Sequence, residues 1–146
     1  MLLYLDLNCF NRPFDDQSQA RVAKETRAVF SVLERIENST DQLAWSAALT
    51  FENAQHPLED RRDEIARWKQ RASSNVGITS AVAKRAQELV DAGFRALDSA
   101  HLACAETARC DHFLTCDDRL LRRAAKVQLM VVVQNPVDYV EEHGDE

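Results

Sequence analysis

Glycine and proline are scarce, three of each in 146 residues, which leaves too few tight turns for a strand-rich sandwich or barrel. No apolar run approaches the ~18 to 20 residues of a membrane span, and the start MLLYLDLN lacks the basic region and cleavage pattern of a signal peptide. The expectation is a cytoplasmic protein. Four cysteines, Cys9, Cys104, Cys110 and Cys116, form no C-x-x-C pair and are too few to staple a secreted domain, so they should be free, mostly buried thiols. The six-residue steps between the last three are not zinc-finger or ribbon spacing. Positive charge is also in deficit: the net charge of −6 argues against a protein that coats nucleic acid through its overall field. It leaves room for a nuclease, because a cluster of four acids would account for most of that excess and a bound divalent cation would reverse the local sign.

What remains is a globular, helix-leaning chain, 45% apolar, of a length suited to a single domain over residues 1–146. Met1–Leu7 (MLLYLDL) is apolar except for Asp6 and short enough to be a buried strand. Asn8–Gln17 has the Asn, Pro and Asp of a loop closing on a helix cap at Asp15 or Asp16. From Ser18, the positions Val22, Thr26, Val29, Leu33 and Ile36 make a helical stripe ending near Asn38. Gln42–Ser46 is a second strand, followed at once by a helix that His56-Pro57 stops. Leu58–Ala72 reads as a charged helix, and residues 75–78 as a strand or a connector.

Thr79 or Ser80 caps the next helix, which Gly93 ends as a left-handed residue. A helix over Leu97–Arg109, a strand over His112–Thr115 and a short helix from Asp117 or Asp118 follow. Val127–Val133 (VQLMVVV) reads as an interior strand, Asn135-Pro136 opens a last helix, and residues 141–146 form an acidic tail expected to fray. Strands alternating with helices predict an α/β fold: a three-layer α/β/α arrangement with a mostly parallel sheet of four to five strands flanked by helices.

In such a sheet the ligand crevice lies beyond the carboxyl ends of the strands. Asp6 near the end of the first strand, Glu52 two turns after the second, Asp98 in the first turn of its helix and Asp117 after the strand ending at Thr115 all fall on that edge. A hard divalent cation is the chemical reason to gather carboxylates, since its charge offsets their repulsion. It would also activate a water for attack on a phosphodiester. Glu25 rivals Glu52, but lies about 12 Å up its helix at ~1.5 Å per residue. Asp118 rivals Asp117, and either acid would cap the helix DDRLLRRAA.

The same residues resemble the acidic signatures of PIN-domain ribonucleases, including the VapC-like toxins of bacterial toxin–antitoxin pairs. They are Asp6-x-Asn8 after the first strand, Glu52 in the helix after the second, Asp98-x-x-His101-x-Ala103-x-Ala105, and Leu114-Thr115-x-Asp117. The resemblance spans most of the chain in the right order. It implies a PIN-like fold, Mg²⁺ or Mn²⁺ dependence and cleavage of RNA, with Asp6, Glu52, Asp98 and Asp117 as metal-binding acids and Asn8 and Thr115 as supporting polar residues. For toxin-like members it implies an antitoxin partner. A homodimer is compatible with the composition.

Other features have plainer readings. His101 on its Ala- and Cys-rich helix reads as a packed, hydrogen-bonded histidine. Arg61, Arg62, Arg67, Lys69 and Arg71 alternate with acids around Trp68 and read as a solvated helix face. Arg12, Arg119, Arg122 and Arg123 are candidate RNA contacts; Arg12 could instead brace Asp15 or Asp16, and the later three could grip an acidic partner. Alternatives in function are a noncatalytic PIN-like module that binds RNA or protein, and a phosphatase on another doubly wound fold. The phosphatase reading lacks the second Asp that a phosphoaspartate motif would place after Asp6-Leu7.

Overall fold

The computed structural model describes residues 1–144. Strands β1 (Leu2–Leu5), β2 (Gln42–Ser46), β3 (Ser74–Val76), β4 (His112–Leu114) and β5 (Val132–Gln134) form one sheet in the order β3-β2-β1-β4-β5, every neighbouring pair parallel. The expected α/β class and layering are observed, with an all-parallel sheet. Helices are α1 (Leu7–Asn11), α2 (Ala20–Glu37), α3 (Ala47–Ala54), α4 (Glu59–Ala66), α5 (Ser80–Asp91), α6 (Ala96–Thr107), α7 (Asp118–Ala124) and α8 (Pro136–His143).

The sheet centre is buried on both sides, as apolar strands require: Leu3, Tyr4, Leu43, Ala44, Phe113 and Leu114 are fully buried. Helix α2 packs with α8, and α5 with α6. Right-handed crossovers put these two pairs on opposite faces of the sheet. Helix α6 can sit close because it turns small residues inward; Ser99, Ala103, Cys104 and Ala105 are all buried. Strand order runs outward from β1 to β2 and β3, then returns across the sheet to β4 and β5. The switch point is therefore between β1 and β4, where a crevice opens beyond the strand ends.

Several sequence expectations change. The segment from Asn8 is not a loop: the Asp6 carboxylate accepts from the Leu7 amide at 2.8 Å and starts α1, and a 3-10 turn follows over Arg12–Phe14. Helix α2 begins after Gln19 with no side-chain cap, so neither Asp15 nor Asp16 caps it. The charged helix ends at Ala66 and tightens into a 3-10 turn over Arg67–Arg71. Strand β5 starts at Val132, not Val127. The apolar run before it is split by side chain, with Val131 buried and Met130 78% exposed. Thr79 caps α5, and Gly93 takes φ +107° as the turn after it requires. Helix α8 includes Glu141–His143, the first part of the tail expected to fray; Asp145 and Glu146 lie outside the described residues.

Candidate metal centre

The site begins with the register of the central strands. Leu5 pairs with Leu114, so Asp6 and Thr115 emerge side by side at the carboxyl edge, with the Asp6 amide on the Leu114 carbonyl at 2.9 Å. Thr115 Oγ1 donates to Asp6 Oδ2 at 2.9 Å, and Asn8 Nδ2 donates to the same oxygen at 3.1 Å. Asn8 Oδ1 in turn accepts from the Cys116 amide at 3.0 Å. Asn8 and Thr115 thus stitch β1 to β4 and fix the rotamer of Asp6, which is 5% exposed.

Ser46 ends β2 and its hydroxyl caps α3 by accepting from the Leu49 amide. That cap sets the direction in which α3 carries Glu52. Helix α6 brings Asp98 in its first turn and His101 one turn later, on the same side of the helix. His101 Nε2 lies 2.8 Å from Glu52 Oε1, and Asp6, Glu52 and His101 present ligand atoms all within 4.8 Å of one another. Asp117 caps α7, its Oδ1 accepting from the amides of Arg119 and Leu120. Its Oδ2 has no protein donor among the described residues.

The electrostatics follow from this crowding. Burial pushes the Asp98 carboxyl up to about 6, with the negative charges of Asp6 and Asp117 adding to it and His101 and Arg95 opposing it. Asp6 is also raised, by burial first and by Glu52 to a lesser extent, against the pull of His101 and the Thr115 hydrogen bond. Among the described residues no Lys or Arg forms an ion pair with Asp6, Glu52 or Asp98, and Arg95 acts on Asp98 only from a distance. Carboxylates that raise one another's pKa, with no cation between them, are the donor set a hard divalent ion would neutralise.

A PIN domain family profile matches residues 3–127. The chain belongs to the PIN-domain family. PIN domains are usually nucleases, and the Asp/Glu/His group is consistent with a PIN metal site. Two solved structures share the fold. FitAcB from Neisseria gonorrhoeae has a TM-score of 0.56 at 19% identity, covering 93% of this chain and 98% of that one. VapBC2 from Rickettsia felis, bound to a DNA fragment from its promoter, has a TM-score of 0.58 at 13% identity, covering 92% and 98%. Both relatives were crystallised as toxin–antitoxin complexes. No curated protein gives a significant sequence match.

The remaining candidates of this PIN domain divide clearly. Glu25 is buried, but it is held by Arg12 at 2.8 Å, by Arg21 at 3.5 Å and by Asn135, away from the group that Glu52 joins. Asp118 is exposed and bonds Arg21 through both oxygens, at 2.7 and 2.8 Å. Arg12 is committed to Glu25 and Asp15. Arg119, Arg122 and Arg123 line a cleft of about 160 Å³ together with Asp98, Arg95 and Lys126; these five cations form no ion pair among the described residues. Arg123 rests on Gly93, where a Cβ would come 2.9 Å from its Cζ.

Sequence reasoning placed His101 in a packed, hydrogen-bonded setting but missed its contacts with Glu52 and with the Tyr4 hydroxyl, 2.6 Å from Nδ1, and missed Arg95 and Lys126 in the cleft. Two spacings carried the signal. Asp98 and His101 are three apart on one helix and share a face, and Tyr4 and Asp6 lie two apart where β1 runs out at the carboxyl edge.

Proposed function

We propose that this PIN domain is a metal-dependent endoribonuclease that hydrolyses RNA phosphodiester bonds, with Asp6, Glu52, Asp98 and Asp117 holding Mg²⁺ or Mn²⁺. The observation that carries the reading is Asp98. Its carboxyl is pushed up to about 6 by burial and by the charges of Asp6 and Asp117, against the opposing charges of His101 and Arg95, so acids from three separate segments crowd one edge of the sheet. A bound divalent ion supplies a nucleophilic water at neutral pH and charge stabilisation on the phosphoryl oxygens. Asp6 is oriented by Thr115, Asn8 and the Leu7 amide, and Glu52 by His101. The cleft of Arg95, Arg119, Arg122, Arg123 and Lys126 beside Asp98 would take a neighbouring phosphate of the strand, because unpaired guanidinium groups give up no intramolecular partner on binding.

A cytoplasmic toxin restrained by an antitoxin is the biological form this reading takes. It is supported by the family and by relatives crystallised as toxin–antitoxin complexes. Cleavage of single-stranded RNA with Mg²⁺ or Mn²⁺ is expected for the wild type, with a loss of at least about 100-fold in Asp6→Asn and Asp98→Asn. Unchanged cleavage in both variants would sink the assignment. Retained RNA binding with no cleavage by the wild type would favour the noncatalytic module.

A further inference from the structure

His101 is 1% exposed, yet its ring is not a passive part of the core. Tyr4 Oη lies 2.6 Å from His101 Nδ1, and Ser46 Oγ lies 2.6 Å from Tyr4 Oη. Phe113 stacks on Tyr4, with centroids 5.1 Å apart and planes within 8°, so the phenol cannot swing away. The imidazole is thus clamped at Nδ1, with Nε2 aimed at Glu52 and Asp6.

Clamping decides what a cation between Asp6 and Glu52 would meet. Three atoms no more than 4.8 Å apart all lie within about 2.8 Å of a common point, against metal–ligand distances of about 2.1 Å, so a small side-chain adjustment closes the shell. An ion held by both carboxylates sits within reach of Nε2. A ring carrying its proton there would turn an N–H toward that cation, and the clamp gives it nowhere to go. The structure offers the remedy. With Nε2 on the cation, Nδ1 would donate to Tyr4 Oη, and the phenol, which burial keeps protonated, would donate to Ser46 Oγ, whose own proton turns away from the phenol. A ligating histidine whose other nitrogen is held by a hydrogen-bond partner is the usual arrangement at metal centres.

We infer that His101 Nε2 is a direct ligand of the bound cation, alongside Asp6 and Glu52, so that this centre selects Mn²⁺ over Mg²⁺. Imidazole suits a borderline transition ion, whereas Mg²⁺ keeps oxygen ligands and water. The inference rests on the metal-centre reading above and goes further by assigning a nitrogen to the metal shell.

The test uses wild-type protein loaded with Mn²⁺ and pulsed electron paramagnetic resonance, which detects nitrogen bound to the ion. Protein grown with ¹⁵N-histidine should replace ¹⁴N modulation by a ¹⁵N coupling. Of His56, His101, His112 and His143, His101 is the one placed in the group among the described residues. Calorimetric titration should give Mn²⁺ binding at least about tenfold tighter than Mg²⁺, with the preference lost in His101→Asn. Tyr4→Phe should keep the nitrogen coupling and weaken Mn²⁺ binding about tenfold. Mn²⁺ bound without histidine coupling would overturn the inference even if RNA is cleaved. Histidine coupling in a protein that cleaves no RNA would uphold it while the nuclease reading fails.

Discussion

Two groups of buried acid in this molecule are built on opposite plans. Beside the start of β2, Asp41 is 2% exposed and accepts from Arg35 Nε at 2.7 Å, from the Tyr139 hydroxyl at 2.7 Å and from the N-terminal ammonium at 3.2 Å. At the carboxyl edge Asp6 is as deeply buried, but its donors are a threonine, an asparagine amide and one backbone amide, all neutral. Burial acts on both. At Asp41 the donors, Arg35 foremost, outweigh it and hold the carboxyl below its ordinary value, whereas at Asp6 and Asp98 burial and neighbouring acids raise it. The first arrangement serves the fold. The second holds Asp6 with neutral donors only and leaves most of the charge of its acids to be met from outside.

The largest difference should appear in stability. Asp41→Asn removes the buried charge on which Arg35, the Tyr139 hydroxyl and the N-terminal ammonium converge, and should cost about 3 kcal/mol in urea unfolding. Asp98→Asn, which removes a like charge from the crowded edge and breaks no side-chain hydrogen bond among the described residues, should be neutral or stabilising in metal-free buffer. A loss of similar size in both variants would erase the contrast.

A smaller effect should appear in the pH dependence. Asp98 has an ordinary value of 3.8 and is raised to about 6, so between those values the folded chain binds a proton that the unfolded chain does not. Its contribution to stability therefore rises as pH falls through about 6 and is complete below the unfolded value. Asp41 runs the other way, because its stabilisation is present above 3.8 and is lost as pH falls through its lowered value. Melting temperatures with chelator present, from pH 7 to 4.5, should rise for the wild type relative to Asp98→Asn. A constant difference across that range would contradict it.

The smallest effect separates neighbours in sequence. Asp118→Asn, which breaks an exposed contact with Arg21, should leave melting temperature and RNA cleavage unchanged. Asp117→Asn should keep most of the cap on α7 and lose cleavage. Loss of cleavage in Asp118→Asn instead would reassign the fourth acid.

The outline of the sheet was legible because β1, β2 and β4 are short apolar runs bounded by polar residues, and because Asp6 breaks its run where a buried acid needs a reason. Strand β5 was misplaced because VQLMVVV is apolar throughout, so the sequence holds no alternation to fix where pairing starts. Helix α1 was misread because its cap is the same Asp6 carboxylate that faces the site. Asp98 and Asp117 stood out by their spacing to His101 and Thr115. The distinction between Glu52 and Glu25 depends on Arg12, Arg21 and Asn135, one of them 110 residues away from Glu25, and no local pattern carries such pairings. The contact of His101 with Glu52, 49 residues apart, was hidden for the same reason.

The hydrogen bond from the Asp6 amide to the Leu114 carbonyl joins two strands, β1 and β4, that lie far apart in sequence. Glu52 and Asp98 emerge between them, and Asp117 follows three residues after Leu114. The centre is thus a property of strand pairing, and a fragment that lacks either β1 or β4 cannot assemble it.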